Sequence, residues 1–542
     1  MGQFLNPSSD TYARALRSEI YVDKTGMLSI LNKRMETMQN RICSSRPRRF
    51  GKSMAVDMIT AYYSIENDSR ELFKDNLIGK DDTFETYLNR YDVLKLDMLV
   101  LCGRVKETAQ LFQYINEHVI KELNAKYPNC IEEKSEDLEM ALLDINLATG
   151  KKFIIVIDEW DAVFRIYKEN EKIQKAYIDF LRSIFKDSSA DQFVALAYIT
   201  GILPIKKYGT QSALNNFEEY TMVKPGILKE YMGFTEWEVQ GLCEKYHMDF
   251  QMTKEWYDGY RLKGDLHIYS PKSIVDLMLN GEFYSYWTST ETYESLLEYI
   301  NMNFEGLRDD VIKMLAGEQV PVNVGRFKND MMNFTSRNDV LTLLIHLGYL
   351  AYDEENREVY IPNNEIKNEF ENSVLETGWT GVINAIEQSK KLLRDTLNQD
   401  AQAVASALEK IHEENTSILK YNDENSLSLV ITLAYYSAKD EYLLIRELPA
   451  GKGYADVVFL PKHNSNKPAL IVELKYNKEV EGAIAQIHEK SYMDVLKDYV
   501  GKILLTGISY ESNSKNTEYK RHKCVIEEWD KNEPQSRNFH QY

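Results

Sequence analysis

Residues 153–157 read Phe-Ile-Ile-Val-Ile, and the run stops at two carboxylates, Asp158 and Glu159. A strand with no polar face has to be covered on both sides. That suits the centre of a parallel sheet rather than a half-solvated hairpin. Val194 to Ile199 has the same character and stops at Thr200-Gly201. Tyr91 to Asp97 alternates polar and apolar residues, as a strand does. Helical spacing fills residues 106–125, 136–149 and Ile173 to Phe185 between these runs. Strands alternating with helices imply an α/β fold whose parallel sheet carries helices on both faces.

A second feature fits that sheet. From Arg41, apolar Ile42 and Cys43 end a strand, and a loop punctuated by Pro47 and Gly51 follows. Met54, Met58, Ile59 and Tyr62 then recur at helical spacing. A strand, a loop ending in Gly51-Lys52-Ser53 and a helix form the context in which a loop cradles phosphate. Lys52 would reach the outer phosphates of ATP, and the Ser53 hydroxyl would hold Mg²⁺. The free N–H groups at the helix start would face the anion. Asp158 would hold the same ion through water, and Glu159 would polarise the attacking water. Thr200 either senses the terminal phosphate or closes the turn before Gly201. The usual loop opens with Gly, with four residues between it and the Gly-Lys pair, where this chain has Arg46. Glycine permits a tight turn there; Arg46 and Arg49 add positive charge instead. The alternative is a basic loop that caps a helix, with Asp158-Glu159 a solvated strand end.

The chain has 542 residues, too many for one core, so two or three domains are expected. Its 65 Lys and Arg against 84 Asp and Glu give a net charge of −19. That opposes general steering toward nucleic acid, so any contact with DNA has to use a local basic patch. Lys515, Lys520, Arg521, His522 and Lys523 form the clearest basic cluster; it contacts phosphates or is a solvated face. The five cysteines are scattered, odd in number and without a CxxC pair, which reads as reduced intracellular thiols without a zinc site and suits a cytoplasmic location. The longest apolar run, Phe193 to Ile205, is too short to span a bilayer, so no membrane partner is expected. From residue 233 aromatic residues cluster in Trp256-Tyr257-Asp258-Gly259-Tyr260 and near Tyr269, as core between domains or as a stacking platform. Gly348 to Leu350 and Val359 to Ile361 could pair as a short winged element.

The last third changes pattern again. Glu441 to Leu448, Tyr454 to Leu460 and Pro468 to Tyr476 read as strands. Residues two apart on a strand share a face, so Glu473 and Lys475 project together. Asp456 on the adjoining strand can meet them. Two carboxylates and an ammonium are costly to hold dry unless a divalent cation shares the site. Asp456, Glu473 and the Leu474 carbonyl offer the hard oxygen ligands that Mg²⁺ or Mn²⁺ accepts. Lys475 would orient or help deprotonate the attacking water. Glu-x-Lys is also a common exposed ion pair. Glu447 either joins the metal or faces solvent.

Two resemblances follow from these residues. Met1-Gly2-Gln3-Phe4-Leu5-Asn6-Pro7, Ile20-Tyr21-Val22-Asp23-Lys24-Thr25 and Arg46-Pro47-Arg48-Arg49-Phe50-Gly51-Lys52-Ser53 resemble the AAA-ATPase-like family of bacterial proteins. Members of that family commonly carry a C-terminal PD-(D/E)XK nuclease domain. In it the Arg-Pro-Arg-Arg-Phe-Gly-Lys-Ser loop is the usual form, so Arg46 departs from the general loop and not from the family. Asp456 followed by Glu473-Leu474-Lys475 resembles the nuclease pattern, with Ala455 in place of its Pro. Glu424 resembles the leading helix carboxylate of those nucleases, and Gln486 and Tyr492 match the Gln and Tyr of the following helix. The resemblance implies a P-loop NTPase sheet over 1–232, a mostly helical lid and linker, possible winged-helix, over 233–382, and a restriction-endonuclease-like α/β domain over 383–542. It implies ATP-driven or ATP-gated endonuclease activity on nucleic acid, DNA in preference to RNA, with a homo-oligomer an open option. The rival reading is a nucleotide-gated binding or scaffold protein whose nuclease-like domain is inactive.

Overall fold

The computed structural model describes the chain apart from residues 1, 106–109, 187, 206, 209, 210, 213, 288–293, 303, 316, 328–333, 377–388, 390, 415–430, 432, 433, 436, 437, 439–441, 451, 452, 463–466, 490–495, 497, 498, 500, 512–520 and 530–542. It divides into two compact units, Met1–Leu307 with Gln319–Phe370, and Arg308–Glu318 with Glu371–Tyr542. Among the described residues no helix is long and apolar enough to cross a membrane.

The first unit is built on β1 (Arg41–Ser45), β2 (Asp92–Asp97), β3 (Phe153–Asp158), β4 (Val194–Gly201) and β5 (Glu218–Tyr220). Their order is β2-β3-β4-β1-β5, and every neighbouring pair is parallel. The apolar run of β3 divides by parity, as alternating side chains must. Phe153, Ile155 and Ile157 enter one core, and Ile154 and Val156 the other. The first core is closed by α4 (Met98–Arg104), α5 (Leu111–Lys126), α6 (Leu138–Thr149), α7 (Ala162–Ile166) and α8 (Glu171–Phe185). The second is closed by α1 (Asp10–Leu16), α2 (Gly26–Asn32) and α3 (Lys52–Tyr63). Because all five strands run the same way, Ser45, Asp97, Asp158 and Gly201 end at one edge of the sheet. The chain leaves β1 for the distant β2 and later crosses to β5 on the other side of β1. Crevices at such reversals, outside the carboxyl ends of the strands, are where open α/β sheets take ligands.

The N-terminal segment is part of this unit. Leu5 bridges Leu94 of β2, and Phe4 and Leu5 are buried in the first core. Glu122 on α5 holds the segment by accepting the backbone N–H groups of Gln3 (2.8 Å), Phe4 (2.9 Å) and Leu5 (2.8 Å).

Beyond β5, helices are interleaved with two small antiparallel sheets. One orders β6 (Phe234–Thr235), β8 (Leu266–Tyr269) and β7 (Tyr260–Leu262), flanked by α9 (Glu236–Tyr246), α10 (Phe250–Tyr257) and α11 (Pro271–Asn280). The other joins β9 (Val320–Pro321), β11 (Glu358–Tyr360) and β10 (Ala351–Asp353), with α12 (Arg337–Leu347) between β9 and β10 in the chain. The expected pairing of 348–350 with 359–361 is displaced: the paired strands are Ala351–Asp353 and Glu358–Tyr360, because Gly348 ends α12 at φ +87°. Tyr257, Tyr260 and Tyr269 are buried, so these rings are core and not a stacking surface.

The second unit carries β12 (Tyr442–Ala450), β13 (Gly453–Pro461), β14 (Ala469–Tyr476), β15 (Ile503–Tyr510) and β16 (His522–Trp529), hydrogen-bonded in chain order. Only the β14–β15 pair is parallel. A parallel neighbour needs a crossover. It includes α14 (Glu481–Glu489), whose Ile484 and Ile487 pack with Ile471 and Leu505. β16 forms the edge beyond β15, beside α13 (Ala401–Glu414).

We expect Glu122→Ala to lower the stability of the first unit by about 2 kcal/mol, because it strips one charged acceptor from three N–H groups. Urea unfolding and N-terminal proteolysis check this. An unchanged midpoint together with unchanged protection of residues 2–6 would show that the segment is held without it.

Candidate functional site

The β1–α3 loop makes its tight turn with two residues at positive φ, Arg49 at +67° and Gly51 at +85°. Gly51 is the N-cap of α3, and a Cβ there would meet nothing within 4 Å, so the backbone angle alone is what calls for glycine. Arg46 is not at positive φ, which is why a residue other than glycine is tolerated there.

Lys52 is buried in the turn, its ammonium donating to the Pro47 carbonyl (3.0 Å) and lying 3.8 Å from Glu159. Burial lowers its pKa, against the pull of Glu159, Asp161 and Asp158. Asp158 ends β3 beside Asp97 of β2, its register partner. Its pKa is raised to about 6, by burial first; the hydrogen bond to Ser53 opposes this, Glu159 and Asp97 add to it, and Lys52 opposes it. Exposed Ser53 on α3 and buried Asp158 on β3 therefore meet across the crevice. Glu159 turns out of the strand at φ +49° and pairs with Arg165 of α7, which also holds Asp161 at 3.1 Å. The donor set of a hydroxyl, a buried carboxyl and a second carboxylate fits a hard divalent cation that would remove the cost of ionising Asp158.

Three residues expected at the phosphates are placed elsewhere. Arg46 is 1% exposed, and its guanidinium donates to the Ser45 (2.9 Å) and Tyr220 (3.1 Å) carbonyls. Its loop position points it back along β1 into the core, where burial lowers its pKa to about 10. Arg49 donates to the Tyr286 (3.1 Å) and Trp287 carbonyls. Thr200 is fully buried inside β4 and donates to the Ser44 carbonyl of β1 at 2.7 Å, so it ties two strands together rather than closing a turn or facing a phosphate. Asp97 and Arg165 were missed. Asp97 carried a signal, since Lys95-Leu96-Asp97 ends an alternating strand on a carboxylate as β3 does. Arg165 had only its helical spacing from Asp161.

In the second unit, Glu473 and Lys475 share a face of β14 as their spacing requires. Both are buried, at 1% and 7% exposure. The Lys475 ammonium donates to Glu473 Oε1 (2.9 Å) and Gln486 Oε1 (2.8 Å), and the Gln486 amide donates to the same Glu473 oxygen. Gln486 reaches them because α14 packs on β14 and β15. Asp456 lies one step beyond the Val457–Val472 pair, which sets it opposite Glu473. Its Oδ2 accepts the Leu474 N–H at 2.7 Å. Asp456, Glu473 and Lys475 thus converge at the centre of a mixed sheet, an oxygen-rich set that fits Mg²⁺ or Mn²⁺. Glu424 and Tyr492 lie outside the described residues, as do Lys515, Lys520 and the side chain of Glu447.

The basic cluster does not form a patch among the described residues. His522 is 1% exposed on β16, with Glu409 of α13 accepting its N–H (2.9 Å) and meeting its Nδ1 (2.8 Å). Lys523 pairs with Glu479 at 3.4 Å.

A parallel sheet with a phosphate-type loop and a mixed sheet with an Asp/Glu-x-Lys cluster define a chain with a nucleotide-type and a nuclease-type domain. Residues 12–210 match the family model described as predicted AAA-ATPase, and residues 422–520 match that of the PD-(D/E)XK nuclease superfamily. The chain therefore joins an AAA-ATPase-like domain to a PD-(D/E)XK nuclease superfamily domain. A curated relative described as an uncharacterized protein in the vnfD 5′ region of Azotobacter chroococcum mcd 1 is 26% identical over 286 residues. That match covers 52% of this chain and 52% of the relative, so the chain spans about half the length of the curated protein it matches. Among solved structures, the Aeropyrum pernix ORC2 protein in its ADPNP-ADP complexes is similar at 11% identity, over 67% of this chain and 99% of that one, with a TM-score of 0.25.

The raised pKa of Asp158 has a stability consequence with a definite sign. Folded Asp158 keeps its proton to about pH 6, whereas the unfolded residue loses it near 3.8. The stability it contributes is complete below 3.8 and lost as pH rises through about 6. Without nucleotide or metal, Asp158→Asn should therefore be more stable than the parent at pH 7.5, by on the order of 2–3 kcal/mol, and equal to it near pH 4. Melting curves across that range test this, and parallel profiles for the two proteins would reject it.

Proposed function

We propose that this protein binds and hydrolyses ATP with Mg²⁺ in its first unit and uses that cycle to gate metal-dependent cleavage of nucleic acid, DNA in preference to RNA, in its second. The observation that carries the reading is the convergence of Asp456, Glu473, Lys475 and Gln486 on one face of a mixed sheet. We further propose the divisions 1–232, 233–382 and 383–542 as the functional parts of the chain.

In the first unit Gly51, Lys52 and Ser53 would receive the phosphates. Lys52 would leave the Pro47 carbonyl for the outer phosphate, and Ser53 and, through water, Asp158 would hold Mg²⁺. Glu159 would leave Arg165 to polarise the attacking water. In the second unit a bound Mg²⁺ or Mn²⁺ would polarise the scissile phosphate and lower the pKa of a water. Asp456, Glu473 and the Leu474 carbonyl would hold that ion. Lys475, fixed between Glu473 and Gln486, would orient the water.

A second reading is favoured by the buried position of His522 and the ion pair of Lys523, together with the net charge of −19. It makes the protein a nucleotide-gated scaffold with an inactive nuclease-like domain.

Plasmid nicking with Mg²⁺ or Mn²⁺, with and without ATP, decides between them. Asp456→Ala should abolish metal binding and nicking. Lys475→Ala should keep the metal and lose nicking by about two orders of magnitude. A parent that cuts neither DNA nor RNA under any metal and nucleotide condition leaves the scaffold reading.

The ATPase is tested separately. Lys52→Ala should weaken calorimetric ATP binding at least about tenfold, because it removes the ammonium aimed at the outer phosphates. Glu159→Gln should keep ATP and stop turnover. Equal ATP affinity in Lys52→Ala and the parent would reject the site.

A further inference from the structure

A second donor cluster lies in the first unit, among the elements that follow β5. Glu236 opens α9, Asp258 follows the last residue of α10, and His267 sits on β8. Each offers a ligand atom within 4.8 Å of those of the other two. The positions are fixed by the backbone. β6 pairs with β8 through Thr235–Ile268, which brings the next residues outward, Glu236 and His267, opposite one another. The Asp258 carbonyl accepts from Asn363 (2.7 Å), and its N–H bonds back to the Lys254 carbonyl (3.1 Å). Gly259 follows at φ +111°, where a Cβ would strike the Pro362 carbonyl, so the chain passes in a form that only glycine allows.

Asp258 Oδ2 lies 2.7 Å from His267 Nδ1, and the buried Tyr269 hydroxyl faces the same carboxylate. The charged groups around the cluster are Lys254, paired with Glu236, and Asp265, 3.5 Å from His267 Nε2. Asp258 and His267 also line a cavity of about 690 Å³, with Lys254, Arg261 and Tyr352 on its walls.

We propose that Glu236, Asp258 and His267 bind a Zn²⁺ ion whose remaining coordination position opens to this cavity. An imidazole beside two carboxylates selects a borderline transition ion over Mg²⁺ or Ca²⁺. Three protein ligands with solvent access are the pattern of an open zinc site. The ion would take Glu236 from Lys254. No cysteine takes part, so the scattered thiols are compatible with it. The site is independent of both the ATP and the nuclease reading.

The test is calorimetric Zn²⁺ titration of chelator-stripped full-length protein in millimolar Mg²⁺, which fills the hard oxygen sites. The parent should take up one Zn²⁺ that raises its melting temperature, and so should Asp456→Ala. His267→Gln should bind that equivalent at least tenfold more weakly and lose the melting shift, and a Co²⁺-loaded parent should show a visible absorption band that this variant lacks. Glu236→Gln, at a partly exposed position, should weaken binding in the same sense. The proposal is overturned if both variants bind Zn²⁺ as the parent does, or if the parent takes up none beyond what Asp456→Ala removes. The cluster is then a hydrogen-bonded clasp only.

Discussion

A guanidinium in the core has to be given acceptors, and Arg46 finds them at the carbonyls of Ser45 and Tyr220. That requirement fixes the loop between β1 and α3. Once Arg46 is turned inward, the following residues have to reverse within a short stretch, which Arg49 and Gly51 do at positive φ. The same stretch meets the elements after β5. Arg49 donates to the carbonyls of Tyr286 and Trp287, and Phe50 stands edge-on to Tyr260 at 5.4 Å. The Phe50 carbonyl accepts from Gly233. A Cβ at Gly348 would touch Pro47 and Trp287. The arginine-rich spelling of the loop is therefore a packing specification as much as an electrostatic one. A phosphate arriving at Lys52 would act on a segment already bonded to the region behind it.

Glu365 shows how tightly that region is specified. Its carboxylate accepts the N–H groups of Tyr286 and Trp287, each at 2.8 Å, and the Ser273 hydroxyl at 2.8 Å. Burial nevertheless raises its pKa to about 7, with these bonds and Arg49 opposing. It organises the carbonyl-bearing turn that Arg49 needs.

Both candidate sites place carboxylates where sheet geometry makes burial costly and a cation useful. In the first unit, Asp97 and Asp158 are adjacent because two parallel strands end in register. In the second, Asp456 and Glu473 are brought opposite by an antiparallel pair, and α14 adds Gln486 from above. Ammonium groups stand beside the acids in both, Lys52 near Glu159 and Lys475 on Glu473. Charge balance without bound ligand thus comes from within each site.

Much of this was legible in the chain. The apolar run of β3 required two covered faces, so the parallel sheet and its helical layers followed from it. The two-residue period placed Glu473 with Lys475, and Gly51-Lys52-Ser53 announced the turn into α3. These are local properties, set by backbone geometry and neighbouring residues. The orientation of Arg46, Arg49 and Thr200 was not legible, because a charged or hydroxyl side chain goes to whichever acceptor the fold brings near. Those acceptors come from Tyr220, Trp287 and Ser44, all of them far in sequence from their donors. The basic run at 520–523 read as a surface patch until β16 placed His522 inward against Glu409. Arg165 met Glu159 only because α7 turns back over the end of β3. Sequence by itself determined which residues had to be strand, turn or helix, and tertiary structure decided which charges meet, since a contact across the fold depends on distances that local pattern does not encode.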